Sequence, residues 1–331
     1  MNDDINNSEI TLKEFMNDVW FPLDVDNGES KKTTISFNVS MYKYIEGYFK
    51  DEKLKNVSSN DIELCLNYYR SKYRQRTGKI GMEPKSVKHI YSTLVRIFKC
   101  AKRKHYISEN PMDDVKPPRV PRKEVNALSE SELKIFMEAL SNTSEENGCM
   151  LRLLVSTGIR RGECAGLQWQ DIDFENNRLH IRRNVTRVTG RGVIVGTPKT
   201  SESSRDIPLS SNTSKVLLEH RQKQQLKFPN IDLQCAYVFP SKEDPYLPCD
   251  PTSITRNVKS FLTDNGLPPH SPHDLRHTFG SLTYKQSKDS KTLQNLLGHS
   301  DISTTLNFYV RRADMQEKRS VSEKYTSAYG L

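Results

Sequence analysis

A proline-rich and basic segment, VKPPRVPRKEV over residues 115–125, constrains the fold of this 331-residue chain more than any other feature. Proline fixes φ and donates no N–H, so three prolines within eleven residues exclude a continuous helix and a central strand there. We therefore predict two domains, residues 11–112 and 127–331, joined by a basic linker over 113–126. Residues 1–10 are predicted to be a flexible tail. The chain is long enough for each domain to have its own core.

The residues before the linker predict an N-terminal all-α helical bundle. A helix beginning at Thr11 is expected to end at Pro22. The clearest element is Ser86–Tyr106, in which apolar residues fall on one stripe and lysines and arginines occupy the rest. The stripe consists of Val87, Ile90, Leu94, Ile97, Phe98 and Ala101.

The residues after the linker predict an α+β domain, mostly helical, with a small antiparallel sheet. Ser129 and Glu132 form a capping-box pattern, and an apolar helix over Cys149–Val155 should end at Gly158. Helices are expected again over Ser214–Leu226 and from Thr252 onward. Short strands are predicted between these helices, over Leu179–Val185, Gly192–Gly196 and Arg205–Leu209.

The charge is uneven along the chain. The whole sequence has a formal net charge of +9, but residues 70–104 alone contain twelve basic residues and one acidic residue, Glu83. A local excess of this kind favours a polyanion such as nucleic acid, and a solvated basic face is the alternative. The residues predicted to bind DNA are Lys88, Arg96, Lys99, Lys102, Arg103 and Lys104.

Membrane and secreted classes are not favoured. No apolar run reaches the ~20 residues that cross a bilayer, and the acidic N-terminus does not resemble a signal peptide. The six cysteines are scattered without a C-x-x-C pair, which is typical of reduced thiols in a cytoplasmic protein.

Two segments of the second half place basic residues at turns. In STGIRRGE (156–163), Arg160 follows the apolar helix and could present a two-pronged donor to a phosphate; a structural Arg160–Glu163 pair is the alternative. In TPKT (197–200), a hairpin turn is expected to project Lys199, which in isolation is more often simply solvated.

Two further segments lie in the predicted C-terminal helices. In SPHDLRH (271–277), Ser271 caps a helix whose first turn carries His273 and Arg276, an arrangement suited to an anion. The spacing of His273 and His277 also resembles part of a zinc site. In the fourth segment, Gly298 should cap a helix before His299, and Tyr309 follows on the stripe of the next helix, where core packing is the alternative.

Together these residues suit phosphodiester transfer through a covalent enzyme link without metal. A tyrosyl oxygen, with a pKa of ~10, needs a base or a positive field to act as a nucleophile. Guanidinium groups and imidazole N–H groups can hold the charge that gathers on the phosphate oxygens. A lysine can protonate the departing alkoxide.

The second half closely resembles the tyrosine recombinases, and among them the integrases of Gram-positive phages and conjugative transposons. Any one matching stretch is moderately specific, and four in order are strongly so. The matching stretches are TGIRRGECAGLQWQDID (157–173), GTPKTSESSRDIPL (196–209), SPHDLRHTFGSL (271–282) and LLGHSDISTTLNFYV (296–310). The first half is similar to the family's SAM-like core-binding domain only in helix content and basic charge.

The resemblance implies a role for each matching residue. Arg160 and Arg276 would clamp the scissile phosphate, and Glu163 would support the first arginine. His273 would hydrogen-bond the phosphate or assist proton transfer, and His299 would hold the phosphate or orient the nucleophile. Lys199 would protonate the leaving 5′ oxygen, and Tyr309 would attack to form a 3′-phosphotyrosyl link. The resemblance implies no metal and no cofactor.

The resemblance also implies the partners. They are double-stranded DNA with core-type recombination sites, further copies of the chain in a tetramer that forms a Holliday junction, and an accessory directionality factor. The expected activity is integration or excision of a mobile element at the bacterial nucleoid. Many integrases of this branch also have an N-terminal domain for arm-type DNA sites, and the segment before Thr11 is too short to be one.

Three alternatives stay open at this point. A DNA-binding regulator with a decayed recombinase site would bind without cutting. A zinc hydrolase would use His273 and His277. A type IB topoisomerase would cut and reseal without exchanging partners.

Overall fold

The structure, a computed structural model, describes residues 9–25, 32–74, 78–121, 126–188, 190–196 and 204–298. The chain divides into two compact units, Met1–Lys123 and Glu124–Leu331. Within the described residues, no helix is both long enough and apolar enough to span a lipid bilayer.

The first unit is mainly helical. The prediction that it is all-α is wrong in one detail, because an antiparallel pair of two-residue strands interrupts the helices, with Tyr73 opposite Ile80. Its elements are α1 (Leu12–Phe15), a π-helix (Met16–Val25), α2 (Lys32–Phe49), α3 (Ser59–Ser71), β1 (Tyr73–Arg74), β2 (Lys79–Ile80) and α4 (Pro84–Arg103).

Pro22 does not end the first helical segment, so that prediction is wrong. The chain continues through it as the π-helix Met16–Val25. Trp20 and Val25, on either side of the proline, are both fully buried. Their packing into the core therefore outweighs the local tendency of proline to stop a helix.

The end of the predicted tail is attached to the first unit. The N–H of Leu54 donates to the carbonyl of Ile10 at 3.0 Å, and Lys55 pairs with Glu9 at 2.7 Å. The flexible tail predicted over residues 1–10 therefore does not include Glu9 and Ile10; residues 1–8 lie outside the described residues.

The amphipathic helix predicted over Ser86–Tyr106 is confirmed as α4. All six residues of its predicted apolar stripe are buried in the core of the first unit. Burial of such a stripe fixes the rotation of the helix, because the residues between its members must then face outward.

The second unit contains a larger helical core and two small antiparallel sheets. The core lies around α6, which contacts α8 and α10. The elements are α5 (Glu130–Ala139), α6 (Glu145–Thr157), α7 (Arg161–Ala165), β3 (Ile172–Asp173), β4 (Arg178–Ile181), β5 (Asn184–Val188), β6 (Gly192–Gly196), β7 (Arg205–Pro208), α8 (Ser211–Lys227), α9 (Pro251–Asp264), α10 (Pro272–Ser287) and α11 (Ser290–Leu297).

The strand predicted over Leu179–Val185 is instead two strands in different sheets. β4 lies between β3 and β7, and β5 pairs with β6 in a separate sheet. In the first sheet Leu179 is opposite both Ile172 and Ile207. Between the two strands, Arg183 donates its Nε to the carbonyl of Gly166 at 3.1 Å. The hydrogen bond from the Arg183 side chain to Gly166, at the end of α7, thus lies where the chain passes from one sheet to the other.

The predicted helix ends are confirmed. Ser129 and Ser271 both cap their helices in capping boxes, and Gly158 ends α6 in the left-handed region, with φ of 63°. Gly298 ends α11 in the same way, with φ of 59°. These four caps fix where each helix of the candidate site begins or ends.

Candidate active site

The first motif folds into a turn between two helices. α6 ends at Gly158, and α7 begins two residues later with Arg160 at its N-terminal boundary. The carboxylate of Glu163 accepts the backbone N–H of Arg160 at 2.8 Å. The Arg160 guanidinium donates to the same carboxylate at 2.7 Å while its side chain stays 36% exposed. The Arg160–Glu163 pair that the sequence left open is therefore present.

Glu163 is also bound by a second arginine, from the first residue of β7. The two Nη atoms of Arg205 donate to the two carboxylate oxygens of Glu163, at 3.1 and 2.9 Å. The side chains of Glu163 and Arg205 are 3% and 6% exposed. Burial by itself raises the pKa of the Glu163 carboxyl. The hydrogen bonds that Arg205 and Arg160 donate to it, together with their positive charges, outweigh the effect of burial and hold the pKa at about 2.

Three arginines meet at the carboxyl end of α11. Arg205 Nε donates to the carbonyl of Leu296 at 2.9 Å, and Arg160 Nη2 donates to that of Gly298 at 3.1 Å. Arg276 Nη2 donates to the carbonyl of Leu297, between them. The last carbonyls of a helix have no partner within the helix and form its negative end, so they attract cations.

The third motif forms the first turn of α10. Pro272 is the first helical residue, and the Asp274 carboxylate accepts from the N–H and hydroxyl of Ser271, each at 2.7 Å. The Arg276 side chain is 1% exposed, and its Nη1 donates to the carbonyl of Gly158 at 2.7 Å. His273 is exposed in the same turn, and its ring centroid is 4.6 Å from that of His277.

The structure thus brings several predicted site residues to one place. Arg160 binds Glu163 and the carbonyl of Gly298, and Arg276 binds the carbonyl of the preceding residue, Leu297. His273 lies one turn from Arg276. Three predicted site residues, Lys199, His299 and Tyr309, lie outside the described residues. The residue next to one of them is described, since Gly298 directly precedes His299.

Sequence reasoning missed Arg205. Its bond partners Glu163 and Leu296 are 42 and 91 residues away along the chain, so no local spacing could identify it. The one available signal was its position inside the second of the four matching stretches.

The zinc alternative depends on His273 and His277. Asp274, which stands where a zincin has its glutamate, is bound in the helix cap. Over the described part of the chain, no three His, Cys, Asp or Glu side chains lie together as a metal would require.

The residues predicted to bind DNA are all exposed on α4 or at its end. Two of them have carboxylate partners: Arg103 lies 3.2 Å from Asp24, and Lys102 lies 4.0 Å from Asp113. Arg96 donates to Asn38 and lies 5.6 Å from the Trp20 ring centroid. No ion pair joins Lys88 or Lys99 to a carboxylate within the ranges that the structure describes.

Relatives of known name cover most of the chain. The chain is 29% identical to a XerC-like tyrosine recombinase of Caldanaerobacter subterraneus subsp. tengcongensis over 84% of its own length and 74% of the relative's. It is 27% identical to the ICEBs1 integrase of Bacillus subtilis, over 81% and 70%. It is 26% identical to the transposase of transposon Tn916 from Enterococcus faecalis, over 81% and 67%.

Solved structures share the fold. The Tn1549 transposon integrase, in complex with a circular intermediate DNA, matches 96% of this chain and 99% of its own, with a TM-score of 0.77 and 20% identity. The lambda integrase tetramer bound to a Holliday junction matches 92% and 79%, with a TM-score of 0.66 and 20% identity. The mostly helical architecture with a small antiparallel sheet is thus the fold of integrase structures.

A family model described as the phage integrase family matches residues 126–316, which is more than half of the chain. The matched region contains all four motifs that carried the resemblance. The family predicted from the sequence is confirmed: the chain belongs to the phage integrase family.

Proposed function

We propose that this protein is a site-specific DNA recombinase that integrates or excises a mobile element. The observation that carries the proposal is the meeting of three guanidinium groups, Arg160, Arg205 and Arg276, at the last carbonyls of α11, Leu296 to Gly298, directly before His299. Family membership and relatives named as tyrosine recombinases and integrases support it.

The electrostatics of the cluster suit a phosphodiester. Among these side chains, three guanidinium groups and the carboxylate of Glu163 leave an excess of positive charge, and Arg205, Arg276 and Glu163 are buried and hydrogen-bonded. Fixed cationic donors of this kind stabilise the negative charge that develops on phosphoryl oxygens. Arg160, which is partly exposed, is in the best position to reach a phosphate at the surface.

The reaction is a transesterification, in which one phosphodiester is exchanged for another and the bond energy is kept in the enzyme-linked ester. The Tyr309 oxygen attacks phosphorus as its proton passes to His273, the bond from phosphorus to the 5′ oxygen breaks, and Lys199 gives a proton to that oxygen. The product is a 3′-phosphotyrosyl ester with a free 5′-hydroxyl. Attack by the 5′-hydroxyl of a partner strand releases the tyrosine, so the exchange consumes no nucleotide.

The phosphate is held by Arg160 and Arg276, with His273 and His299 donating to its oxygens and Glu163 supporting Arg160. The surface position of His273 in the first turn of α10 fits this role, because the helix N-terminus adds positive potential there. Arg276, whose side chain is buried, would contribute positive charge to the phosphate from the protein interior.

The first unit is the core-binding domain in this proposal, of the SAM-like type. At ~100° per residue, Lys88, Arg96, Lys99, Lys102 and Arg103 fall within about 120° of the α4 circumference. A basic arc of this width can follow a phosphate backbone. Residues 113–126 serve as the linker, and tetramer formation on DNA, a directionality factor and a cytoplasmic location stay predictions.

Covalent capture tests the proposal without knowledge of the recognition site. Purified protein is incubated with a library of randomised duplexes that carry a nick, denatured in detergent, and the DNA bound to protein is sequenced. The wild-type chain should capture duplexes that share one DNA sequence pattern. Mass spectrometry of the adduct should locate the DNA link at Tyr309. Tyr309→Phe should form no adduct while it still shifts the recovered duplex in a gel.

The capture assay, repeated in EDTA and followed by relaxation and recombination assays, separates the three alternatives. A wild-type chain that shifts DNA but forms no adduct is a binding regulator. Loss of cutting in EDTA supports the zinc hydrolase. Relaxation of supercoils without recombination between two recovered sites supports a type IB topoisomerase.

A further inference from the structure

β7 begins with a buried arginine whose side chain leaves the sheet. The backbone of Arg205 is fixed by the pairing of β7 with β4, where Ile181 is opposite Arg205. Its side chain reaches both α7 and α11. Arg205 follows Lys199 by six residues in the sequence.

Three bonds from the Arg205 guanidinium to described residues fix two elements at once. The two Nη atoms form a fork on the Glu163 carboxylate, at 3.1 and 2.9 Å, and Nε binds the carbonyl of Leu296 at 2.9 Å. A planar guanidinium can make this fork and a third bond together. A lysine ammonium is a point charge on a flexible stem and cannot reproduce the same geometry.

Arg205 binds two groups, the Glu163 carboxylate and the end of α11, and both of these also bind Arg160 of the proposed cleavage site. Glu163 Oε1 accepts from Arg205 and also from Arg160 Nη1 at 2.7 Å. Leu296 lies two residues before Gly298, whose carbonyl accepts from Arg160, and three residues before His299. Movement of Arg205 would therefore displace the partner of Arg160 and the end of α11 together.

We propose that Arg205 is a positioning residue of the strand-cleavage site, an inference that rests on the proposed function. It acts through Glu163 and the carboxyl end of α11, which it holds in the places where both bind the Arg160 guanidinium, so that Arg160 is aimed at the scissile phosphate.

The test compares Arg205→Gln and Arg205→Lys with a matched control, Arg178→Gln. Arg178 is an exposed arginine on β4, at the opposite end of the same strand pair, where it faces Pro208. The measured quantities are the single-turnover rate of adduct formation on the recovered duplex, the Kd for that duplex, and the melting temperature.

Arg205→Gln should lower the adduct rate about 100-fold, which is the scale of loss when a supporting change misplaces reacting groups. The Kd should change by less than about threefold, since removal of a direct phosphate ligand would weaken binding by more. Arg205→Lys, which keeps the charge, should form the adduct about tenfold faster than Arg205→Gln and about tenfold more slowly than the wild type. Arg178→Gln should behave as the wild type does.

A pH profile separates positioning from general support of the fold. In the wild type, the low pKa of the Glu163 carboxyl keeps it ionised throughout weak acid. Without Arg205 the carboxyl stays buried and loses its strongest partner, so its pKa rises. The Arg205→Gln rate should then increase with pH in weak acid, and adding Glu163→Gln should remove that increase. The charged groups facing Glu163 in the described chain are Arg160 and Arg205, beside the thiol of Cys164.

Three results would overturn the inference. They are a folded Arg205→Gln with the wild-type rate, a Kd that weakens as much as the rate falls, and a slowed variant with the pH profile of the wild type. If Arg205→Gln does not fold, Arg205→Lys supports the same comparison. A wild-type chain that forms no adduct refutes the proposed function itself, and this inference with it.

Discussion

At the residue scale, Glu163 is the point on which the candidate site is built. One buried carboxylate accepts from the backbone and side chain of Arg160 and from the fork of Arg205. A buried ion pair of this kind is weak evidence of net stabilisation, but removing one partner leaves the others uncompensated. The cost of changing Glu163 is therefore large, and it depends on pH.

We expect Glu163→Gln to lower the free energy of unfolding by about 3 kcal/mol at pH 7, from the difference between the folded pKa of about 2 and the ordinary value of 4.5. Because the folded pKa is the lower one, this stabilisation is complete above pH ~4.5 and is lost as the pH falls toward 2. Urea denaturation of both proteins from pH 3 to 7 measures it.

The control is Glu138→Gln, which removes an exposed carboxylate that pairs with no cation in the described chain. Its unfolding free energy should differ from the wild type by less than ~0.5 kcal/mol. A difference between wild type and Glu163→Gln that stays constant down to pH 3 would contradict the ion-pair assignment.

Gly298 is constrained by its conformation and by its neighbour. Its φ is +59°, and a Cβ placed there would lie 2.9 Å from Cδ of Arg205. Gly266 has a similar φ of +66° with nothing within 4 Å. Both alanine variants are strained by positive φ, but only Gly298→Ala must also displace a side chain that is held at both ends. Urea denaturation should show Gly298→Ala to be less stable than Gly266→Ala by about 2 kcal/mol. Equal losses of unfolding free energy would show that the Arg205 side chain moves aside at little cost.

At the element scale, α4 separates its two faces cleanly. Its apolar stripe is buried, and its basic residues are outside. The basic residues are not equivalent, because Arg103 and Lys102 have carboxylate partners and Lys88 and Lys99 do not in the described part of the chain. A lysine already neutralised by a carboxylate releases fewer counterions when it meets a phosphate.

We therefore expect Lys88→Gln and Lys99→Gln to weaken binding of the recovered duplex and to flatten its salt dependence. The slope of log K against log salt should fall by ~0.9 for each DNA phosphate that the variant no longer neutralises. Arg103→Gln, on the same helix, should reduce the slope by less. Gel-shift titrations over a range of salt concentrations measure all three, and an unchanged slope for Lys88 and Lys99 would assign these side chains to solvent.

The elements also show which parts of the structure were predictable. Caps at Ser271, Gly158 and Gly298 depend on a few neighbouring residues, so the sequence predicted them correctly. The division of residues 179–185 into two strands depends on a bond from Arg183 to Gly166, and the persistence of helix through Pro22 depends on the burial of its neighbours. Such contacts are non-local, and no spacing rule contains them.

The same distinction applies to the site. The residues that bind one another within a turn, Arg160 and Glu163, are readable from their spacing. The joining of α7, β7, α10 and α11 through arginine–carbonyl bonds appears only when the chain is folded. The sequence motifs identified the family, but the role of Arg205 required the geometry.

At the scale of the whole molecule, each unit has its own hydrophobic core. One core contains buried residues from Leu12 to Val115 and the other from Leu128 to Leu275, with no member in common. Val115 is the last core residue of the first unit, and its carbonyl accepts from the Tyr91 hydroxyl at 3.1 Å. A core of this size in each unit favours independent folding.

Limited proteolysis with trypsin tests this independence. Within the connection, Arg119 and Val120 are exposed and belong to no helix or strand, whereas the bond after Lys116 precedes a proline and resists trypsin. We expect the first cut after Arg119, because proteases need extended, accessible chain. Two resistant fragments should then accumulate, residues 1–119 and 120–331, each of which should unfold cooperatively once separated. A first cut inside α4 or α10, or a fragment without a cooperative transition, would show that the units do not fold independently.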